Sequence, residues 1–359
     1  MIAAGTRPEL IKLSTMIKHA GDHPGLNSKF LFTGQHYDYR MSSGIMRELR
    51  LPDPDFEIQA RPKSGSTDLY RVLVTSAQVL EQVHPTLVVV LGDTDSALGV
   101  SLAATKLSIR IAHVEAGCRS FDKSTPEEVN RMVVSDLATI HFAATPNCRR
   151  NLLNEGISPD TIKMDGHPIV DVVDGMKRDI AMSNVLSMYR LKPKEYYLAT
   201  IHRQENTEDL PKLRRIFRIL RVCSMRHPVV LPLHPRTQNR IAKFGLEEIL
   251  SGLLVLPPLG YSEFLTLVKH ATAVLTDSAG VQQEASILRT YCVTLRSSTE
   301  WTETVTAGSN FVVGSSLRNV EQSLDYVEAM TPVRPATNVF RFHDSTFKIL
   351  EHISRYARK

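Results

Sequence analysis

Residues 86–117 read TLVVVLGDTDSALGVSLAATKLSIRIAHVEAG. The run Thr86–Leu91 is apolar and β-branched, which predicts a strand. Asp95–Leu107 spaces its apolar residues as a helix does, and Arg110–Val114 is a second strand-like run. A strand, a covering helix and another strand make a parallel β-α-β unit. Directly after the two strands stand Gly92-Asp93-Thr94-Asp95 and Glu115-Ala116-Gly117. Open parallel sheets gather ligand residues at such positions.

The same rhythm runs along the chain. Strands are expected at Ile2–Ala4, Lys29–Thr33 and Ile140–Ala143, then at Tyr196–Thr200, Val229–Pro232, Leu253–Leu256, Ala273–Leu275, Tyr291–Leu295 and Phe311–Val313. Helical patterns separate them, so the class is α/β with parallel sheets covered on both faces. A length of 359 residues is more than one core sustains. Two doubly wound domains facing each other across a cleft are expected. The first covers 1–168, with a helix at about 340–359 packing back on it, and the second covers 169–339.

Composition narrows the function. The chain is 42% hydrophobic and 23% charged, ordinary for a globular protein and unlike a disordered or collagen-like one. No apolar run approaches the ~18–20 residues of a membrane-spanning helix, so no membrane insertion is expected. The N-terminus has neither the basic region nor the cleavage site of a signal peptide, and a cytoplasmic location follows as an expectation. The cysteines 118, 148, 223 and 292 are scattered without zinc spacing and read as reduced thiols. With 43 Lys and Arg against 38 Asp and Glu, the excess suits a small anionic ligand. No nucleic acid is expected, because the one Arg-dense segment, Arg214–Arg221, fits the solvated face of a helix.

Polar or glycine-rich residues follow strand after strand: Gly5-Thr6-Arg7-Pro8-Glu9, Thr33-Gly34-Gln35-His36, Gly92–Asp95, Glu115–Gly117, His202-Arg203, His234-Pro235-Arg236 and Asp277–Gly280. One such ending is an ordinary turn; a succession carrying Arg and His reads as a shared site. In Thr276–Glu284, small residues between a strand and a helix let backbone N–H groups approach a phosphate. Ser278 adds a hydroxyl, and Glu284 lies a turn beyond Gly280, placed to grip ribose hydroxyls. Plain N-capping by Asp277 or Ser278 is the other reading of this segment. Neither GxGxxG nor GxxxxGK[ST] occurs, which disfavours nicotinamide and P-loop chemistry.

In Ser124–Arg131, Thr125 and Glu128 have the spacing of a capping box with Pro126 at the first helical position. Glu127 is then left to form a carboxylate–guanidinium face with Arg131, or a solvated ion pair. Asp93 and Glu115 end strands expected to be buried, where restricted solvent raises a carboxyl pKa. With Glu127 they make three acids associated with basic Arg7, Lys12 and His202. That set suggests proton transfer on a nucleotide-linked substrate. Asp93-Thr94-Asp95 is a single weak match to a magnesium site.

The ordered motifs GTRPELIK, TGQHYD, LGDTDS, HVEAGCRSF, PEEVNR, IHRQEN, LHPRT, LTDSAGVQQEA and TEWTETV resemble the non-hydrolysing UDP-N-acetylglucosamine 2-epimerase family, over nearly the whole chain from Gly5 to about Gly314. The resemblance implies the GT-B fold, with two Rossmann-like domains, and an isomerase that interconverts UDP-GlcNAc and UDP-ManNAc through 2-acetamidoglucal. It implies Asp93, Glu115, Glu127 and His202 as catalytic residues. Arg7, Lys12, Arg131, Ser278, Ala279, Gly280 and Glu284 would bind substrate, and Gln35, His36, Arg203 and His234 an allosteric UDP-GlcNAc. No cofactor and no metal are implied; a homodimer acting on a UDP-sugar, in cell-envelope polysaccharide synthesis, is. Epimerases for other UDP-2-acetamido sugars (diacetamido-uronic acids, 6-deoxy sugars) and GT-B glycosyltransferases are the alternatives. Three departures stand out. Ala279 replaces a glycine and needs negative φ. Trp301 replaces the Arg of a TERPE motif. The first strand lacks about four residues that usually precede Gly5, which implies a start codon upstream.

Overall fold

The computed structural model describes residues 1–34, 39–58, 66–331, 333, 335, 339–340 and 342–357. The chain divides into two compact units, Met1–Gly175 with Phe340–Lys359, and Met176–Val339.

In the first unit the strands are β1 (Ile2–Ala4), β2 (Phe30–Phe32), β3 (Phe56–Glu57), β4 (Leu87–Leu91), β5 (Arg110–Val114), β6 (Ile140–Phe142) and β7 (Ile162–Lys163). The helices between them are α1 (Arg7–His19), α2 (Tyr39–Glu48), α3 (Ser66–Val83), α4 (Asp95–Lys106), α5 (Pro126–Leu137), α6 (Pro146–Asn154) and α7 (Pro168–Gly175). The sheet order is β3-β2-β1-β4-β5-β6-β7, all pairs parallel. The two-residue strands β3 and β7 at its edges were not among the expected ones.

The second unit begins with α8 (Lys177–Met182) and α9 (Val185–Met188). Its strands are β8 (Tyr197–Thr200), β9 (Val229–Pro232), β10 (Leu254–Leu256), β11 (Ala273–Thr276), β12 (Tyr291–Thr294) and β13 (Asn310–Val312). The helices α10 (Gln204–Thr207), α11 (Leu210–Cys223), α12 (Pro235–Phe244), α13 (Tyr261–His270), α14 (Ala279–Ile287), α15 (Thr302–Thr306) and α16 (Leu317–Met330) connect and follow them. The order is β10-β9-β8-β11-β12-β13, again parallel. Finally α17 (Ser345–Ala357) belongs to the first unit. No helix among the described residues is long and apolar enough to cross a membrane.

Alternation along the strands builds the cores. Tyr197, Ala199, Ala273, Leu275 and Val293 join one buried cluster, while their neighbours Tyr196, Leu198, Val274 and Cys292 join another on the opposite face. Successive strand side chains point to opposite faces, and each fully buried aliphatic side chain contributes about 1.5–3 kcal/mol. In the first unit Val88, Val90 and Ile111 pack with Val100 and Ala104 of α4. That helix starts on Thr94, whose hydroxyl accepts the Ala97 amide at 3.0 Å. In each sheet the order reverses between two central strands, β1 and β4, then β8 and β11. A crevice for ligands opens at such a switch point, beyond the carboxyl ends of the strands.

Candidate active site

At the first switch point, β1 leads through Thr6 into α1. Thr6 and Glu9 form a capping box there, and Glu9 also accepts a hydrogen bond from Thr94 at 2.6 Å, tying α1 to the start of α4. Arg7 and Lys12 therefore ride on a helix fixed at its first turn. The Lys12 ammonium lies 2.5 Å from Oε1 of Glu115, and both residues are buried. His167 reaches the same oxygen, its Nε2 at 2.5 Å.

Glu115 directly follows β5 with φ +66°, in the left-handed region, a strained conformation for a non-glycine residue that the surrounding contacts must hold. Burial would raise its pKa. The charge of Lys12 and the contacts of Lys12 and His167 outweigh burial and hold the carboxyl well below the usual range. The raised value expected from strand burial is thus corrected: pairing in a dry site favours the ionised form more than desolvation opposes it. Gly92, at φ +71°, lies against the other oxygen, since a Cβ there would stand 3.0 Å from Oε2.

Asp93 accepts from the buried Arg131, whose other nitrogen is 3.1 Å from Glu128. Asn130 donates to the Asp93 carbonyl and to Asp95, each at 3.0 Å. The capping box expected at α5 is absent, because the Thr125 side chain makes no capping hydrogen bond. Glu128 turns instead to Ser120 and Phe121, accepting from both amides and from the Ser120 hydroxyl at 2.9–3.0 Å. Three donors and a guanidinium outcompete one amide for that carboxylate. Glu127 is half-buried in the first turn of α5.

The second unit repeats the design at its own switch point. The fully buried Asp277, after β11, accepts the amides of His202 and Arg203 at 3.0–3.1 Å and the side-chain amide of Asn206 at 2.9 Å. Burial pushes its pKa up against those donors. Ser278 is the N-cap of α14, its hydroxyl accepting the Val281 amide at 3.4 Å. Capping and ligation thus compete for one hydroxyl in this segment. Ala279 opens α14 with helical backbone, the negative φ that its methyl requires. Glu284 is buried in the same helix, 6% exposed. His202 stacks on His234, ring centroids 5.2 Å apart, and Arg203 lies 3.7 Å from Glu300. Gln35 and His36 lie outside the described residues.

The chain as a whole has relatives among known proteins. The family model for UDP-N-acetylglucosamine 2-epimerase matches residues 18–354. The chain belongs to that family. The UDP-N-acetylglucosamine 2-epimerase of Methanocaldococcus jannaschii is 38% identical over 339 residues, 92% of this chain and 91% of the relative. Equally similar, at 38% over 324 residues and 89% of each chain, is the UDP-2,3-diacetamido-2,3-dideoxy-D-glucuronate 2-epimerase of Pseudomonas aeruginosa. The crystal structure of the Methanocaldococcus jannaschii enzyme in complex with UDP-GlcNAc and UDP superposes with a TM-score of 0.90 at 35% identity, covering 99% of both chains. The fold is accordingly that of the GT-B epimerases, and the chain is an epimerase by family.

Within this epimerase the first unit brings Lys12, Asp93, Glu115 and Arg131 to one sheet end, and the second brings His202, Arg203 and Ser278–Glu284 to another. His167 was missed by sequence reasoning. It follows the two-residue strand β7 after a turn, so no apolar run pointed to it. The dipeptide His-Pro ahead of a helical pattern was the available signal. It recurs at His234-Pro235, where the imidazole likewise accepts an amide of the helix it precedes.

Proposed function

We propose that the protein interconverts UDP-GlcNAc and UDP-ManNAc by eliminating UDP and adding it back. The carrying observation is Glu115, a buried carboxylate held by Lys12 and His167 beside a switch point. The C2 proton of the sugar is not acidic in the ground state. As the C1–O bond breaks and its electron pair leaves with UDP, C1 becomes cation-like and the C2 proton becomes removable. A carboxylate takes that proton, and the C2–H pair becomes the C1=C2 bond of 2-acetamidoglucal. Return of a proton to the opposite face of C2, with re-addition of UDP at C1, completes the inversion.

Asp93, Glu115 and Glu127 serve as the acid/base groups in this reading, with His202. Arg7, Lys12 and Arg131 stabilise negative charge on the departing diphosphate and within the site. Ser278 and the backbone at Ala279 and Gly280 cradle phosphate at the start of α14, and Glu284 grips the ribose. Arg203 and His234, with Gln35 and His36, form a second site for UDP-GlcNAc. The reading also includes a homodimer working in the cytoplasm.

The Pseudomonas aeruginosa relative supports a second substrate reading, a UDP-2,3-diacetamido uronate, in which the events at C1 and C2 are the same. Incubation of both sugars in D₂O, followed by NMR, decides. Deuterium should enter C2 of the preferred sugar with no added nicotinamide or metal. Inversion without C2 exchange, or a strict NAD⁺ requirement, sinks the elimination route.

A further inference from the structure

The imidazole of His167 is fully buried between the start of α7, Glu115 and the ring of Phe340, which meets it edge-on with centroids 6.2 Å apart. Its two nitrogens have different tasks. Nδ1 accepts the Ile169 amide at 3.0 Å, and Nε2 lies 2.5 Å from Glu115 Oε1. A nitrogen that accepts an N–H carries no hydrogen itself, so the ring proton is on Nε2 and is donated to Glu115. Protonating Nδ1 would set N–H against N–H. Burial, which lowers the His167 pKa, acts in the same direction. His167 therefore gives Glu115 a direction and Lys12 gives it a charge.

That division matters for a carboxylate on a left-handed backbone. Lysine approaches on a flexible four-carbon stem and fixes little by itself. The imidazole is anchored to the first turn of a helix and fixes the plane of the carboxylate through one oxygen. We propose that His167 is a positioning residue for epimerisation, a neutral Nε2–H imidazole that orients Glu115 towards the C2 proton of the UDP-sugar. This rests on the reading of Glu115 as an acid/base group.

Two substitutions separate its roles. His167→Asn keeps an oxygen near Nδ1 to cap α7 but is too short to reach Glu115. His167→Gln places an amide near Nε2 to donate to Glu115 but gives up the cap. His167→Asn should lower kcat about tenfold or more, with KM within a few-fold and the thermal midpoint held. His167→Gln should recover most of kcat with a lower midpoint. The acid limb of the kcat profile should move to higher pH in His167→Asn. Glu115 then loses one donor to its ionised form while Lys12 of α1, His113 of β5 and Asp171 of α7 remain. Imidazole ¹⁵N shifts of the wild-type protein should report the Nε2–H tautomer. An Nδ1–H or doubly protonated ring overturns the inference, as does His167→Asn with wild-type kcat and pH profile. Glu115→Gln is measured alongside. If it turns over normally, the reading of Glu115 falls and takes His167 with it. If it is inactive while His167→Asn is not, only the positioning role falls.

Discussion

Glu115 keeps its charge where little water reaches it, and that charge links its chemistry to the stability of the first unit. A carboxyl with a depressed folded pKa contributes stability that is fully present above its unfolded value, ordinarily 4.5. The contribution drains away as pH falls through the folded value. The stability gap between wild type and Glu115→Gln should therefore be widest near neutrality and narrow steadily below about pH 4.5. Urea denaturation at a series of pH values measures it; a gap independent of pH would mean that Lys12 and His167 do not favour the ionised form. Single residues also set the limit of sequence reading here. The positions of Asp93 and Glu115 at strand ends were visible in the chain. The direction of the Glu115 pKa was not, because it depends on Lys12, 103 positions away, and on His167. Likewise the Thr125–Glu128 spacing carried a capping box on paper, while the folded loop offered Glu128 better donors.

At the scale of elements, β4 and β5 run side by side in register, and the turn after β4 is shaped around the residue that follows β5. Gly92→Ala adds both backbone strain, about 1–2 kcal/mol for a left-handed residue, and a methyl against the Glu115 carboxylate. Gly245→Ala at the end of α12 adds the first cost alone, since φ is +61° and a Cβ there meets nothing within 4 Å. Gly92→Ala should therefore lose more thermal stability than Gly245→Ala, and only Gly92→Ala should lose kcat. Equal kinetic behaviour would detach Gly92 from the carboxylate. Strands such as β4, five apolar residues long, were plain in the sequence, as were the polar residues at their ends; the order of the strands, which places the switch points, was not. The edge strands β3 and β7, two residues each, carry no periodicity to read; neighbouring strands recruit them.

For the whole molecule, the proposed function assigns the acids to the first unit and the phosphate cradle to the second, so UDP affinity and turnover are separable. Glu284→Ala should weaken UDP binding by about 1.5–3 kcal/mol, the loss of hydrogen bonds to a charged acceptor, while Glu115→Gln should leave it within a few-fold. Unchanged UDP affinity would remove Glu284 from the cradle.

The chain crosses between units twice, after Gly175 and again after Val339. The returning helix α17 buries Ile349, Leu350 and Ile353. Its Thr346 bonds to Thr15 of α1 and Asp171 of α7, each at 2.7 Å, while Arg110 of β5 donates to the Tyr356 carbonyl at 2.6 Å. On the ribosome, then, the first unit emerges without its last helix. Synthesis of Met176–Val339 takes roughly ten to thirty seconds at ordinary rates. Throughout that interval the surface of α1 and α7 that α17 later covers stays open. The part of the protein made first is the part finished last.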